Sequence, residues 1–332
     1  MGKVIILGAG ASAGYENSEV KLRSPIARNF LKTSKKLIDS QKIPERFGEL
    51  WGFIEKYYHI DREKIGSCEI DIEELLTFLD IDNKHKKIRE KLIQIIYLTL
   101  DKVLYGEPCP YHRRLISQLD HDDAIITFNW DLLVDNLMSL ENNCPPDYAT
   151  TFDKTFIGRW VDYNPETNHP KLLKLHGSLN WMYCKKCKKS YNYVLQGKVT
   201  TDMVLNPGAQ WLKCPNCQNH QLEPIIIPPT INKHYEKWEI IKQIWKEAKN
   251  CLIKADEITI IGYSLPLTDF RAKWLFMEAV AEHKQPLKKL TIVDKYPDGL
   301  FEKYKKLFKV NNDNFEGIVG EIKEICGHHT NF

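Results

Sequence analysis

The stretch Lys3-Val4-Ile5-Ile6-Leu7 runs without interruption into Gly8-Ala9-Gly10-Ala11-Ser12-Ala13. A continuous apolar run stopped by glycines reads as a strand buried on both faces, which belongs inside a parallel sheet. The pattern recurs in DAIITFN (123–129), KLLKLHGS (171–178), PIIIPP (224–229), EITIIGYS (257–264) and KKLTIVD (288–294). Helix-like segments lie between several of them: DLLVDNLMSL, FRAKWLFMEAVAEH and the amphipathic 233–255, whose Trp238, Ile241, Trp245, Ala248 and Leu252 fall on one stripe. Strand, polar strand end and helix in repetition predict an α/β fold: a Rossmann-like parallel sheet with helices on both faces.

Residues 31–110 break the rhythm. They carry apolar residues at three- and four-residue spacing and no clear strand, and Asp71 with Glu74 reads as a capping box. In a simple dinucleotide-binding unit the second strand arrives within about 30 residues, so this block reads as a helical insertion. The expected division is a Rossmann-like domain from 1–30, 111–183 and 223–332, the insertion at 31–110, and a small zinc ribbon at 184–222.

Composition narrows the class. With 47 basic and 44 acidic side chains in 332 residues, the net charge of +3 does not suit a dedicated nucleic-acid binder. No run approaches the roughly 20 apolar residues that span a bilayer, so no membrane association is expected. The start lacks the long apolar core of a signal peptide, and Ile6 stands where a myristoylation signal has Ser or Thr. A cytoplasmic protein is the expectation. Nine cysteines, an odd number, argue against a disulfide framework there.

Three features carry chemistry. Gly8-Ala9-Gly10-Ala11-Ser12-Ala13 fits G-x-G-x-x-G/A, where small residues let backbone amides approach a pyrophosphate at a helix N-terminus. The alternative is a tight turn without a ligand. The acidic residue expected about 20 positions on is missing, which disfavours an ordinary NAD dehydrogenase. Cys184-x-x-Cys187 and Cys214-x-x-Cys217, 26 residues apart, supply four thiolates for a closed tetrahedral zinc site. Four cysteine ligands leave no position for substrate, so the metal is expected to be structural. Lys185, Lys186, Lys188 and Lys189 around the first pair read as a solvated face, with a nucleic-acid contact as the alternative. Finally, polar residues end several strands: Asn129 and Asp131 in TFNWD, His176 in LHGS, Ser264 in GYS and Asp294 in IVD. The carboxyl ends of parallel strands converge on one crevice. Asp131 also suits a helix cap for DLLVDNL.

These features in this order resemble the sirtuin (SIR2) superfamily. GAGAS matches its GAGxS phosphate loop, Thr127-Phe128-Asn129-Trp130-Asp131 its T-Q-N-x-D, and Leu175-His176-Gly177 the HG that carries its catalytic histidine. The CxxC pairs follow in the expected place. Gly262-Tyr263-Ser264 corresponds to a later G-x-S, and Asp294 to the strand end on the adenosine side. The chain departs from deacylase sirtuins where they bind the acylated peptide. Their G-I-P-D-F-R is absent, Phe128 replaces their Gln, and Pro224-Ile225-Ile226-Ile227-Pro228-Pro229 replaces V-x-F-G-E. TFNWD, LHGSLNW and GYSLPLTD look like the SIR2-like proteins of prokaryotic antiphage defence.

The resemblance implies an NAD+ hydrolase that cleaves the nicotinamide–ribose bond, with zinc as structural metal and NAD+ as substrate. Asn129, His176 and Asp131 are then the candidate catalytic residues. Gly8, Ala9, Gly10, Ala11, Ser12, Thr127, Gly262, Ser264 and Asp294 are the candidate dinucleotide contacts. A homo-oligomer or an activating protein partner is implied, because unrestrained NAD+ loss is toxic, and the block at 31–110 is a candidate lid or oligomer contact. Nucleic acid is not expected as a main ligand. Two other readings remain at this point: a lysine deacylase on the same scaffold, and a non-catalytic nucleotide-sensing or nucleic-acid-binding subunit.

Overall fold

A computed structural model describes residues 2–40, 45–81, 83–142, 144–163, 169–194, 212–227 and 237–328. Strand β1 (Gly2–Leu7) is followed at once by a single helical turn, α1 (Ala9–Ala13). Then come α2 (Phe30–Ser40), α3 (Gly48–Tyr58), α4 (Ile72–Ile81), α5 (Lys86–Val103) and α6 (Pro110–Ile116). Strand β2 (Ala124–Thr127) leads into α7 (Leu133–Asn142), β3 (Lys154–Phe156), β4 (Trp160–Val161) and β5 (Lys171–Lys174). Next are β6 (Gly177–Cys184), β7 (Lys189–Tyr193) and β8 (Glu223–Ile226). The chain continues with α8 (Glu239–Lys254), β9 (Ala255–Ile261), α9 (Phe270–Glu282) and β10 (Lys289–Asp294), then α10 (Leu300–Phe308), β11 (Phe315–Val319) and α11 (Ile322–His328).

Six strands pair in parallel in the order β11-β10-β9-β1-β2-β5. Counted by appearance in the chain this is the doubly wound order, with its reversal between β1 and β9. The strands close because Val4, Ile6, Ile125, Ile126, Ile258 and Ile260 are buried, and each sheds its apolar surface on a helix-covered face. On one face α8, α9 and α10 pack in series; on the other α6, α7 and α11 do.

The second sheet has five strands in the order β4-β3-β7-β6-β8, antiparallel except for β3 with β7. The sequence reading anticipates only part of it. KLLKLHGS reads as a strand running into a turn, and so it is: β5 stops at Lys174, but after the turn β6 starts at Gly177 in the other sheet, which the sequence reading does not foresee. Gly177 allows the switch: it sits at φ +80°, and a Cβ there would lie 2.1 Å from the Ile225 carbonyl oxygen. PIIIPP does form a strand, yet β8 joins β6 rather than the parallel sheet, and Pro228 and Pro229 lie outside the described residues.

The block between β1 and β2 is helical, as its periodicity predicts. Leu31, Leu50, Trp51, Ile54, Leu75, Leu76, Leu92 and Ile96 form a core of their own, closed against Leu179 and Ile226 of the second sheet and against Trp130 and Leu132. The capping box is half formed: Asp71 Oδ1 accepts the Glu73 amide at 2.8 Å, while the Glu74 carboxylate accepts the Tyr58 hydroxyl instead. No helix among the described residues is long and apolar enough to cross a membrane.

Candidate active site and metal centre

The turns after β1 and β9 interlock at the reversal point. The amides of Gly8 and Gly10 donate to the carbonyls of Ile261 and Gly262 at 3.0 and 2.9 Å. A Cβ on Gly8 would stand 2.4 Å from the Gly262 oxygen, and one on Gly262, at φ +60°, 2.4 Å from the Ala11 nitrogen. These glycines let two backbones touch. Their first task is therefore to join β1 to β9, and two of the loop's amides are engaged in doing so. Ala9 is exposed and Gly10 half-buried at the same turn, while Ala11 and Ser12 are buried.

Across this turn stands the end of β2. Asn129 Nδ2 donates to the Gly8 carbonyl at 2.9 Å and to Ser12 Oγ at 3.0 Å, and Ser12 Oγ donates to Asp131 Oδ2 at 2.7 Å. One hydroxyl thus couples the amide to the carboxylate. Asp131 Oδ1 also accepts the Leu133 amide at 3.1 Å, so it caps α7 as well. The Thr127 hydroxyl donates to the Leu7 carbonyl and accepts the Asn129 amide, which fixes the turn. Beneath it, buried Lys174 donates to the Asp131 carbonyl and to Asp135 Oδ2 at 2.7 Å, and Tyr148 donates to Asp135 Oδ1 at 2.6 Å. A fully buried ion pair holds its geometry because losing either partner strands a charge.

His176 is 4% exposed in the turn between β5 and β6. Its carbonyl accepts the Ile227 amide at 2.8 Å. Its ring meets Phe128 in a T-shaped contact at a centroid distance of 5.2 Å, and Phe128 stacks on Tyr263 at 4.0 Å and 8°. The imidazole Nε2 lies 3.4 Å from Asp269 Oδ2. Asn129, Asp131 and Ser12 therefore form one group and His176 a second, and Phe128, next to Asn129 in the chain, lines the histidine. Ser264 is exposed after β9. Asp294 ends β10 half-buried, with Oδ1 accepting the Tyr296 amide at 2.8 Å. Burial raises the Asp294 pKa, and that amide partly offsets the rise. No hydrogen bond joins Ser264 or Asp294 to either group among the described contacts, although both sit at the same carboxyl edge of the sheet. A cavity of about 460 Å³ lies elsewhere, among the amino-terminal halves of β1, β9 and β10, lined by Lys3, Glu257, Thr259, Lys289 and Thr291.

Sequence reasoning misses Asp269, Tyr263 and the Lys174–Asp135 pair. Asp269 precedes a helix in Pro266-Leu267-Thr268-Asp269 and reads as an ordinary cap, and nothing in KLLK separates an inward lysine from a surface one.

The four cysteines come together with Sγ atoms all within 4.8 Å of one another. Cys184 to Cys217 is 3.8 Å and Cys187 to Cys214 is 3.9 Å. Four sulfurs at 2.3 Å from a tetrahedral zinc stand about 3.8 Å apart, so the spacing fits. The two turns are equivalent: the amides of Lys188 and Gln218 each donate to the first cysteine's carbonyl at 2.8 Å, and both residues are left-handed, at φ 55° and 58°. Burial pushes the Cys214 thiol up, but hydrogen bonds from Tyr191 and the amides of 216 and 217 outweigh it and bring the group to about 7. Asn216 Nδ2 donates to Cys187 at 3.2 Å. These donors favour the thiolate at Cys214, whereas burial pushes the neighbouring Cys184 thiol up to about 12.

No protein-family model and no curated protein matches the sequence. Among solved structures the chain is similar to a Sir2 homologue variant in complex with 2'-O-acetyl ADP ribose, at 16% identity and a TM-score of 0.51, covering 98% of this chain and 89% of that one. It is also similar to a Sir2 homologue variant in complex with ADP ribose (15% identity, TM-score 0.49, 98% and 89% covered). A Sir2 structure with a peptide and NAD+ matches at 16% identity and a TM-score of 0.46, with 98% and 90% covered. The first of these likenesses shows a shared fold: the parallel sheet with its helices is that of Sir2.

Proposed function

We propose that the chain is a SIR2-like enzyme that hydrolyses NAD+ to nicotinamide and ADP-ribose. One observation carries this reading. The Ser12 hydroxyl joins Asn129 to Asp131 where the sheet order reverses, with His176 on the adjoining strand end. A dinucleotide binds at such a reversal point.

Breaking the nicotinamide–ribose bond leaves an oxocarbenium-like sugar, and water supplies the hydroxyl that replaces nicotinamide. The water's second proton must go to a base. The exposed backbone of Ala9 and the small side chains of Ala9 to Ser12 let the pyrophosphate lie against this turn, whose Gly8, Gly10 and Ala11 amides are already bonded within the protein, with the adenosine half towards Ser264 and Asp294. Asn129, oriented by the Gly8 carbonyl, directs the ribose hydroxyls or the water. Asp131 stabilises developing positive charge. His176 accepts the proton as general base. The four cysteines hold a structural zinc, which in such sites supplies folding energy and no chemistry.

The nearest competitor is lysine deacylation. Phe128 stands where deacylase sirtuins carry Gln, stacked face to face on Tyr263, which supports hydrolysis. The test is incubation with NAD+, with and without an acylated peptide, and identification of the products. Hydrolysis predicts nicotinamide and ADP-ribose without peptide; a strict requirement for peptide with an O-acyl ADP-ribose product overturns it. The physiological role we propose is a restrained effector of antiphage defence, held in check by a homo-oligomer or a partner protein. Phage challenge of cells carrying the intact chain or Asn129→Ala tests it: equal plating on both contradicts it.

A further inference from the structure

Asp269 stands at the N-cap of α9 and does not cap it. An N-cap Asp ordinarily accepts an amide of the first turn. Here no side-chain cap bond forms. The carboxylate instead turns inward, 2% exposed, to accept the Tyr263 hydroxyl at 2.6 Å and to lie 3.4 Å from His176 Nε2. A buried carboxylate is costly without partners, so its placement beside an imidazole calls for an account.

The surroundings make the pairing rigid. Tyr263 is fixed twice, by its stack on Phe128 and by the Tyr304 hydroxyl of α10, which donates to its carbonyl at 2.6 Å. Phe128 and the imidazole meet in a T-shaped contact. The imidazole is thus bounded by an aromatic ring and a carboxylate.

We infer that Asp269 is the positioning residue for His176: it holds Nε2–H, leaves Nδ1 as the basic nitrogen, and stabilises the imidazolium once Nδ1 has taken a proton. The proton moves from the attacking water or a ribose hydroxyl to Nδ1. Asp269 itself stays ionised, as in carboxylate–histidine pairs generally. The inference deepens the proposed hydrolysis and rests on it for its catalytic meaning. The geometric claim stands independently. Titratable groups around the pair include Tyr263 from the same loop, Tyr304 from α10, and Asp294 at the end of β10, whose charge acts on Tyr304 together with that of Asp269; the uncharged Phe128 faces it from just after β2.

Two readouts on the full chain separate the claims. The first is an NMR titration of the His176 imidazole in the intact protein and in Asp269→Asn, which keeps the shape and an acceptor for Tyr263. An opposite charge at this range raises a histidine pKa by about 1 unit or more. The Asn variant is therefore expected to titrate lower by about that much, with an unchanged melting temperature. Equal titration in both proteins overturns the inference. The second is the pH profile of NAD+ consumption. Asp269→Asn is expected to lower kcat on the order of 100-fold with little change in KM, to move the acid limb downward, and to recover in part in Asp269→Glu. A rise in KM and a fall in melting temperature with an unmoved acid limb assign Asp269 a merely structural role and overturn the inference. If His176 responds to Asp269→Asn but neither protein consumes NAD+, the pairing stands and the hydrolase reading falls.

Discussion

The strands of the parallel sheet are apolar runs: Val4 to Leu7 on β1, Ile258, Ile260 and Ile261 on β9, Leu290, Ile292 and Val293 on β10, all buried. The strands of the five-stranded sheet mix polar with aromatic residues, as in Lys189-Ser190-Tyr191-Asn192-Tyr193 of β7. Its small cluster contains Met182, Tyr191, Tyr193 and Leu222 together with the cysteines. The first sheet is held by packing. The second packs Leu179, Trp181, Ile225 and Ile226 of β6 and β8 into the neighbouring cores, while its far end gathers four cysteine sulfurs at one point, which we propose a metal ties together. Yet the site draws on both, because His176 sits in the turn where the chain leaves one sheet for the other. On the proposed reading, the difference teaches that the site lies at the joint between a region stabilised by burial and a region whose far end a metal ties together.

That contrast can be broken at several points. The largest effect is expected from the metal. Structural zinc contributes about 10–16 kcal/mol of apparent binding energy in small sites. Chelation, or Cys214→Ser, should therefore collapse the near-ultraviolet signals of Tyr191 and Tyr193 while the helical signal of the packed region persists. Metal analysis should give one zinc per chain, and unchanged spectra without metal would contradict the ligation half of the comparison. Next comes the buried pair. Lys174→Met leaves Asp135 uncompensated and should cost about 3–5 kcal/mol by denaturant titration, and Asp135→Leu in the same chain should restore much of it.

The packed region should also respond to acid through His112. Burial lowers its pKa from 6.5 to about 4. Because the folded value lies below the unfolded one, this contribution is complete above pH 6.5. It is lost as pH falls towards 4 and amounts to about 3 kcal/mol. An His112→Gln variant should show a flatter stability profile across that window in urea titrations. Smallest is Ser12→Ala, which removes the hydroxyl between Asn129 and Asp131. It should cost about 1–3 kcal/mol, since a buried carboxylate oxygen loses its donor. A larger loss would mean that the site turn and not the strand core holds β1 in place.

Sequence alone discloses the packed half well, because a parallel strand buried on both faces announces itself as an apolar run and its polar end residue falls in the crevice by topology. It discloses the cysteines through spacing alone. It does not disclose β3, β4 or the switch at Gly177, since strands of two to three residues leave no period to detect and nothing in KLLKLHGS marks that the chain passes to another sheet after its turn. Strand β11, Phe315 to Val319, passes unseen for a related reason: three of its five residues are half-buried or exposed beside one glycine. Within the site, Asn129, Asp131 and His176 are legible as strand-end polar residues. Asp269 is not, because its role depends on forgoing the cap that its position in the chain suggests.

The central claim is that the joint between the two sheets cleaves NAD+. The most direct measurement follows nicotinamide and ADP-ribose released from NAD+ by the purified intact chain and by His176→Ala and Asn129→Ala, each checked for an unchanged fold by circular dichroism. Both substitutions are expected to abolish release while the spectra stay superimposable. Undiminished release by both variants would contradict the assignment.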